Sequence, residues 1–419
     1  MAMAADAPKD GFRLSMLIYD TRYRAITIQI IVLILFLLFV GWLVDNTRHN
    51  LALKGKDIDF SFLWRRAGYD IGQHLIPYTN DSFHIRAVFV GLINTLVVAV
   101  LGCILSTILG VIFGVLRLSK NWIVARLMTI YIEMFRNVPL LLWIILVGVV
   151  FSETRPQPKD FKVEDGAAKA TMNFWDSVAF TNRSTNVPAP LLDHGFPSIE
   201  TAWLTINTSL IFILALFGLS VWVNNILLKR AKAVQEDTGI RPVTWWKSLV
   251  LLILPTTIAL MLMGFHLEYP EFKGFNFKGG ISFDHAFTAL TIALTLYYAS
   301  VTAEIVRSGI QAISRGQTEA AFALGLRPGR TMNLVILPQA LRVIIPPMIS
   351  QFLSLTKDTS LGIAVSYLDL RGTLGGITLN QTGRELECML LMMAIYLLIS
   401  LIISAFMNAY NTSVKLKER

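Results

Sequence analysis

Two opposite charges stand side by side in an apolar stretch of this chain, at Lys357 and Asp358, and the hydroxyls of Thr359 and Ser360 follow them. A charge at the centre of a bilayer costs about 2.5–3.5 kcal/mol unless it faces protein, water or an opposite charge. Neighbouring residues of a helix point about 100° apart, so Lys357 and Asp358 do not pair closely with each other. Either these residues line a path or gate for a zwitterionic solute, or they form a structural pair that orders a helical bundle.

Two acid–base pairs have the spacing of neighbours on one helix face, Glu133 with Arg136 and Glu304 with Arg307. Side chains three positions apart on a helix lie close enough to form an ion pair. The pairs predict a network between helices near an inner gate, or alternatively a static packing network. Asn94 is an uncharged polar residue in another apolar stretch, where hydrogen bonding between helices is the default role. We keep all five residues as candidates for a translocation pathway.

The sequence contains no motif for hydrolysis or metal binding. It lacks a Gly-x-x-x-x-Gly-Lys-Ser/Thr phosphate loop, so it predicts no ATP hydrolysis by this chain. His-Glu-x-x-His, Gly-x-Ser-x-Gly and Cys-x-x-Cys are also missing, and the six histidines and two cysteines have no ligand spacing. We therefore expect a chain that is not an enzyme and that binds no metal or cofactor itself.

The elements that must position these residues are long apolar segments. The chain has 419 residues, of which 54% are hydrophobic and only 16% are charged. A helix needs about 20 apolar residues to cross a bilayer, and this sequence contains repeated runs of that length. Eight spans are predicted, at 26–44, 87–115, 127–151, 200–228, 247–265, 286–310, 344–368 and 386–408.

The connecting segments predict the orientation of these spans. Cytoplasmic loops of membrane proteins carry an excess of Lys and Arg. The short basic segments are the N-tail with Lys9 and Arg13, 116–126, 229–246, 311–343 and the C-tail with Lys415, Lys417 and Arg419. The segments near 45–86, 152–199, 266–285 and 369–385 mix acidic and basic residues. The sequence therefore predicts that both termini are cytoplasmic.

The segment 152–199 contains five prolines, at positions 156, 158, 188, 190 and 197, which argue against regular structure. It is either a docking surface outside the membrane or a solvated connector.

A small-residue segment between two spans has the composition of a docking helix. Glu319 is expected in the first turn, where it complements the helix dipole, and Ala320 and Ala321 keep one face slim. Gly325 permits a C-cap or a close approach. Pro328-Gly329 is expected to reverse the chain into a second short helix that Leu337-Pro338 ends. This loop, with Arg315, Arg327, Arg330 and Arg342, predicts a surface for another protein.

These residues resemble the EAA coupling loop of ATP-binding-cassette (ABC) importer permeases. Other segments resemble the polar amino acid subfamily: Gly91-Leu-Ile-Asn94-Thr95, Tyr131-Ile-Glu133-Met-Phe135-Arg136, Ala303-Glu304-Ile-Val-Arg307, and Lys357-Asp358-Thr359-Ser360. The matches cover about 87–152 and 286–410 of the chain. The extra length is similar to that of the long Q-type permeases of general L-amino acid uptake systems of Gram-negative bacteria.

The resemblance implies a division of the chain into five parts. They are 1–86 with an N-tail, an extra first span and a periplasmic segment; 87–152, the first part of the permease core; 153–285, an insertion with a periplasmic loop and two extra spans; 286–410, the second part of the core with the coupling loop; and 411–419, a basic C-tail.

The resemblance also implies a fold and a function. It implies an all-α integral membrane protein, a polytopic bundle of about eight transmembrane helices with the type I ABC importer permease fold. The expected partners are an ABC ATPase homodimer that uses ATP and Mg, a second related permease and a periplasmic solute-binding protein, in a bacterial inner membrane. Alternatives are a permease for an opine, a peptide or another small polar solute, or an ion-coupled secondary transporter that uses Lys357 and Asp358.

Overall fold

A computed structural model describes residues 18, 21–53, 55–164, 167–201 and 205–414. Most of the basic C-tail predicted at 411–419, and the tail residues Lys9, Arg13, Lys415, Lys417 and Arg419, therefore lie outside the described residues. The chain divides into two units, one ending at Phe62 and the other beginning at Leu63. The first unit contains helix α1, Thr21–Leu53, whose most apolar window has no buried residue within the described part. Helix α1 is long enough to span a bilayer.

The second unit is built around α2, His84–Arg117, and α7, His285–Gln311, which pack along each other. Glycines on α2 allow this close approach. A Cβ atom added at Gly110 would stand 2.9 Å from the carbonyl oxygen of Ala299, and one at Gly114 would stand 2.7 Å from that of Ala303. Small residues at such interfaces let helix backbones approach within a membrane.

The third predicted span, 127–151, is not one straight helix. Helix α3, Trp122–Asn137, and helix α4, Leu140–Thr154, meet at a bend of 104°. Pro139 has no N–H to donate, and the residue before a proline prefers an extended backbone. Val138 is extended at φ −101° and ψ 134°, so the helix stops there and restarts in a new direction.

The segment after α4 contains short antiparallel strands, so the expectation that its prolines exclude regular structure is wrong. The strands Ala179–Phe180, Ser184–Val187 and Ile281–Asp284 form one three-stranded sheet, and each of the other strands pairs with one partner. Pro190 lies opposite Leu267 in a two-stranded pair, and proline is tolerated in such edge strands. The strands are β1 Val163–Glu164, β2 Ala167–Ala168, β3 Ala179–Phe180, β4 Ser184–Val187, β5 Ala189–Leu192, β6 Ile199–Glu200, β7 Thr205–Ile206, β8 Phe265–Glu268, β9 Glu271–Lys273, β10 Asn276–Lys278 and β11 Ile281–Asp284.

Two further helices form a hairpin between β7 and β8. Helix α5, Thr208–Thr238, begins where the side chain of Asn207 accepts the backbone N–H of Leu210, and it ends at the left-handed Gly239. Helix α6, Trp245–Leu262, contains Pro255. Strand β5 precedes this hairpin and β8 follows it, and the two strands pair with each other, so they join the two ends of the inserted segment.

The chain after α7 forms the predicted docking segment and a long helix. Helix α8 is Arg315–Ala323 and α9 is Pro328–Thr331; a π-helical turn, Met332–Ile336, then leads directly into α10, Leu337–Asp358. Pro338 therefore lies in the first turn of a long helix, where proline is well tolerated, rather than ending a short one.

Helix α10 ends at Asp358, and the 3-10 helix Thr359–Val365 continues the seventh span to three residues before its predicted limit at 368. Pro346 and Pro347 lie inside α10 rather than at its start. The remaining elements are the 3-10 helices Ser61–Trp64, Pro158–Phe161 and Thr359–Val365, α11 Leu370–Gly372, the π-helix Thr373–Thr378, α12 Leu379–Thr382 and α13 Glu385–Val414.

Seven helices of the described residues are long and apolar enough to cross a membrane, and the bent α3–α4 pair makes up to eight. These eight segments overlap the eight predicted spans. The fold is therefore the predicted polytopic α-helical bundle, with its longest buried contact between α2 and α7.

Candidate coupling and translocation site

Asp358 lies at the C-terminal end of α10 and close to the middle of the bundle's depth. The Tyr298 hydroxyl donates a hydrogen bond of 2.6 Å to Asp358 Oδ2, and Tyr298 is midway along α7. Lys357 is exposed in the last turn of α10, where a cation complements the carbonyl end of the helix dipole. Sequence reasoning expected both charges inside a continuous span; the structure places them where the helix stops.

The α-helical structure of α10 ends at Asp358, a 3-10 helix continues to Val365, and the backbone leaves helical geometry at Ser366. Thr359 is buried and donates to the Thr356 carbonyl at 2.9 Å, so its hydroxyl is satisfied within the chain. Ser360 is half-buried, and Ser366 ends the following turn in the left-handed region at φ 63°. Non-helical backbone at this depth is tolerated only where protein covers it or where it lines a water-filled cavity. Broken helices of this kind form the sites of many transporters.

Two buried amides fasten the segments around Asp358. The side chain of Gln351 donates to the Tyr298 carbonyl at 2.8 Å and to the Thr302 hydroxyl at 2.6 Å. This contact joins α10 to α7, which is the usual role of a polar side chain between spans. Asn94 is 2% exposed and donates to the carbonyls of Gln73 and Leu368, at 2.8 and 2.9 Å. It therefore ties α2 to two connecting segments; its place in a pathway stays a prediction.

Charged side chains of α2, α3 and α7 meet at the end of the bundle that contains Arg117. Glu304 pairs with Arg307 at 2.5 Å on one helix face, as the spacing predicted. The other predicted pair is wrong in its partner, because Glu133 contacts Arg117 at 3.3 Å whereas Arg136 approaches Glu304 at 4.0 Å. Glu133 and Arg136 therefore contact residues of other helices rather than each other.

Arg117 is the residue of this network that sequence reasoning missed. Its Nη1 lies 2.5 Å from Glu304 Oε2, and its side chain is only 14% exposed. The sequence offered one signal, a basic residue at the end of a span, but that signal was used only for orientation. A guanidinium that bridges two carboxylates joins three helices at once, which gives it more structural weight than an isolated surface ion pair.

Helices α8 and α9, with the π-helical turn up to Leu337, form an exposed projection, which we call the coupling segment, 315–337. Gly325 is left-handed at φ 76°, its N–H donates to the Phe322 carbonyl, and the N–H of Leu326 donates to the Ala321 carbonyl. These two bonds are a Schellman cap, for which glycine is preferred. Glu319 is exposed but lies beyond the first helical turn, so the expectation that it complements the N-terminal dipole is wrong.

The coupling segment presents apolar side chains to the surroundings. Phe322 is 48%, Leu324 81% and Leu334 65% exposed. Ala320 is exposed too, while Ala321 is 3% exposed and packs inward. The side chain of Gln339 donates to that of Gln317 at 3.3 Å, which fixes α8 to the first turn of α10. Leu337 and Pro338 are exposed at the start of α10. Exposed apolar side chains clustered on one projection are typical of a protein–protein contact.

Comparison with known proteins identifies the family. The profile described as "Binding-protein-dependent transport system inner membrane component" matches residues 242–416. The chain is 64% identical, over 100% of both chains, to the glutamate/glutamine/aspartate/asparagine transport system permease protein BztB of Rhodobacter capsulatus. The chain belongs to the amino-acid ABC transporter permeases. It is also 39% identical to the general L-amino acid transport system permease protein AapQ of Rhizobium johnstonii, over 98% of this chain and 96% of that one.

A shorter relative matches only part of the permease. The glutamate/aspartate import permease protein GltK of Escherichia coli is 35% identical over 40% of this chain and 75% of its own length. The family assignment makes this chain a transport subunit of a binding-protein-dependent system rather than an enzyme. It also decides against the ion-coupled secondary transporter.

The permease has a buried carboxylate near this site, Asp369, that sequence reasoning did not select. Asp369 is fully buried; its Oδ1 accepts the backbone N–H of Gly372 at 2.8 Å, and its Oδ2 accepts the Tyr396 hydroxyl at 3.3 Å. It caps the short helix that follows the break after α10. No pattern of spacing separates this aspartate from the others in the sequence, because its side-chain partner Tyr396 lies on another helix.

The connecting segment before α2 contacts the short π-helix that ends at Thr378. The Tyr69 hydroxyl lies 3.2 Å from that of Thr378, and the Tyr78 hydroxyl donates to the Tyr69 carbonyl at 3.0 Å. Burial raises the pKa of the Tyr69 phenol to about 12, so it remains a neutral hydrogen-bonding group at physiological pH. The segment is therefore fastened by uncharged contacts.

Proposed function

We propose that this chain is one of two related permease subunits in a bacterial inner membrane, with both termini in the cytoplasm. A solute-binding protein on the outer side delivers an L-amino acid, and an ATPase homodimer docks on the coupling segment. The short basic connections support this orientation. The coupling segment follows α7 at the end of the bundle that contains Arg117, which is then the cytoplasmic end.

One observation carries the proposal: the exposed coupling segment is continuous with the helix that ends at Asp358. Helix α10 follows the π-helical turn without a loop, and Gln339 bonds to Gln317 of α8, so a displacement of α8 moves the start of the helix that ends at mid-depth. When two ATPase subunits close on ATP and Mg, they pull the coupling segment and favour the outward-open state; hydrolysis releases it. This reciprocity follows from linkage between the two sites.

The charges at the end of α10 suit a zwitterionic solute. Lys357 offers a cation, and Asp358 offers an anion held by Tyr298. Together they complement an α-carboxylate and an α-ammonium group, and Ser360 adds a hydroxyl. The name of the relative BztB includes glutamate, aspartate and their amides, and that of GltK includes glutamate and aspartate. We therefore propose L-amino acids of this group as the transported class.

The docking surface can be tested with matched charge substitutions. Leu324→Asp changes a side chain that is 81% exposed, and Ile240→Asp changes one that is 76% exposed on another predicted cytoplasmic loop. Both variants should fold. We expect Leu324→Asp to weaken copurification of the ATPase by about tenfold or more, as for a hot-spot residue, and Ile240→Asp to leave it unchanged. Equal ATPase recovery from both variants would place the docking surface elsewhere.

The subunit composition can be measured on the same preparation. A tagged chain purified in mild detergent should carry an ATPase and a second, different permease, identified by intact mass. Recovery of two identical permease chains would refute the heterodimer and leave the coupling surface untouched.

A further inference from the structure

The cytoplasmic end of the α5–α6 hairpin contains a basic cavity that the transport mechanism does not use. Its volume is about 550 Å³. Three cations line it, Lys229, Lys232 and Arg241, and Trp222 forms part of its wall. The other lining residues are Asn225, Ile226, Leu228 and Gln235, so no carboxylate lines the cavity. A cavity lined by three cations and by no carboxylate is chemically suited to an anion.

The backbone brings these cations together. Gly239 takes the left-handed conformation at φ 72°, and its N–H donates to the Gln235 carbonyl at 2.9 Å. The chain reverses there and carries Arg241 back beside the last turns of α5. Lys232 has Glu236 at 3.7 Å, with both side chains largely exposed. Within the described range 205–414, no carboxylate lies within 4.0 Å of Lys229 or Arg241.

The cavity lies at the level of a membrane surface. Helix α5 runs from Thr208 to Lys229 over about 32 Å at 1.5 Å per residue, which is close to the thickness of the hydrocarbon core. Trp245 and Trp246 begin α6 at the same level, and tryptophan is enriched at the membrane interface. The cations therefore stand among lipid headgroups, with the apolar part of the hairpin directly beside them.

We propose that this cavity binds the phosphate group of an anionic membrane lipid. The ammonium of Lys229 and the guanidinium of Arg241 pair with the phosphate oxygens, while Trp222 and Ile226 contact the glycerol and upper acyl chains. Basic pockets between transmembrane helices bind anionic headgroups in this way. A soluble phosphate ion offers the same oxygens but no acyl chains, so the apolar wall favours the lipid. The proposal is independent of the transported solute and of the coupling segment.

Native mass spectrometry of the purified complex can test the proposal. The probes are phosphatidylglycerol and phosphatidylcholine with the same acyl chains. We expect preferential retention of phosphatidylglycerol by the wild-type permease. Lys229→Gln with Arg241→Gln should weaken this binding by roughly 30-fold, from two cations near an anionic surface. Arg230→Gln in α5 with Lys247→Gln in α6 removes the same charge from the same end of the hairpin outside the cavity, and should change the binding less than about threefold.

Two further measurements distinguish a bound lipid from a misfolded hairpin and from a bound phosphate ion. The charge-preserving pair Lys229→Arg with Arg241→Lys should keep most of the binding, which a merely misfolded hairpin would not. Millimolar inorganic phosphate should fail to displace the bound lipid. Equal loss of phosphatidylglycerol in the cavity variant and the control variant would overturn the site. Equal binding of phosphatidylcholine, or displacement by inorganic phosphate, would overturn the assignment to an anionic lipid.

Discussion

Helices α7 and α5 are both long enough to span the membrane, but they have opposite surroundings. In its most apolar window, α7 is 67% buried by the rest of the chain, whereas α5 is 6% buried. The more buried helix is the less apolar of the two. Helix α7 is rich in Ala, Thr and Ser, while α5 carries large side chains such as Leu210, Phe212 and Trp222 on its exposed surface.

This difference follows from the membrane as a solvent. Lipid tails are as apolar as leucine, so the hydrophobic effect does not draw spans together; close packing and hydrogen bonds do. In α7, Ala299 and Ala303 meet glycines of α2, and Tyr298 bonds to Asp358. Large apolar side chains on α5 instead match lipid. In this permease, α7 is therefore a span covered by protein, and α5 is a span that faces lipid.

The largest expected effect comes from added bulk at the α2–α7 contact. Gly110→Leu would drive atoms into the backbone of Ala299, and overpacking of this kind should cost at least about 3 kcal/mol. Gly218→Leu is the matched change in α5, where an added Cβ meets nothing within 4 Å. We expect no folded protein from the first and wild-type thermal stability from the second, measured by fluorescence-detected size exclusion. Similar losses in both would mean that α5 is as tightly covered as α7.

The next effect concerns the charge at the end of α10. Tyr298→Phe removes a hydrogen bond to a carboxylate, worth about 1.5–3 kcal/mol. We expect amino-acid uptake in proteoliposomes to fall about tenfold or more, with little loss of assembled complex. Asp358→Ala should lower uptake further.

The alternative for this site is a purely structural pair. In that case Tyr298→Phe and Asp358→Ala would lower assembly and uptake in equal proportion. A Thr257→Val variant in α6 supplies the control, because its hydroxyl donates only to the Ile253 carbonyl within its own helix. It should leave both quantities unchanged.

A smaller effect is expected for the coupling energies of two ion pairs, one between α2 and α7 and one within α5. A double-mutant cycle of Arg117→Gln and Glu304→Gln should give a coupling energy of about 1 kcal/mol or more, because these side chains are 14% and 21% exposed. The cycle of Lys232→Gln and Glu236→Gln should give less than about 0.5 kcal/mol, since its side chains are 77% and 67% exposed. Equal coupling energies, measured by thermal unfolding, would show that the mostly buried pair stabilises the protein no more than the exposed pair does.

The smallest effect on the core is expected from removal of the whole hairpin. Strands β5 and β8 are in register, and their pairing continues through the bond from the N–H of His194 to the Met263 carbonyl at 3.0 Å. Replacing 195–262 by Asn-Gly should close a tight turn there. We expect the core to lose less than about 1 kcal/mol of stability and to keep uptake, while retention of phosphatidylglycerol falls. Loss of the folded core would show that the hairpin is part of it.

Sequence reasoning located the spans well because they depend on local composition; the role of the coupling segment stays a prediction. In lipid, the backbone N–H and C=O groups of an apolar run of about 20 residues must form hydrogen bonds within their own helix, whatever the neighbouring segments are. Gly325 likewise serves a local backbone need, a left-handed cap. The glycines at 102, 110 and 114 formed a signal of close packing that sequence reasoning did not use.

Sequence reasoning was wrong where contacts between segments far apart in the chain differ from those that local spacing favours. The i, i+3 spacing favoured Glu133 with Arg136, but Arg117 of another helix is the closer partner of Glu133. Proline counting argued against strands, but pairing with β8 supports Pro190 in an edge strand. The apolar pattern placed Lys357 and Asp358 inside one continuous helix, but α10 ends at Asp358 and a 3-10 helix follows it.

By itself the sequence determined the number of membrane segments, the charges at membrane depth and the exposed helix with its glycine cap, because each depends on residues close together in the chain. Only the tertiary structure decided the bend at Pro139, the end of α10 at mid-depth, the bond from Tyr298 to Asp358 and the three-helix network of Arg117. Those features depend on which helices lie side by side, and in a membrane this choice rests on close packing and hydrogen bonds between segments far apart in sequence.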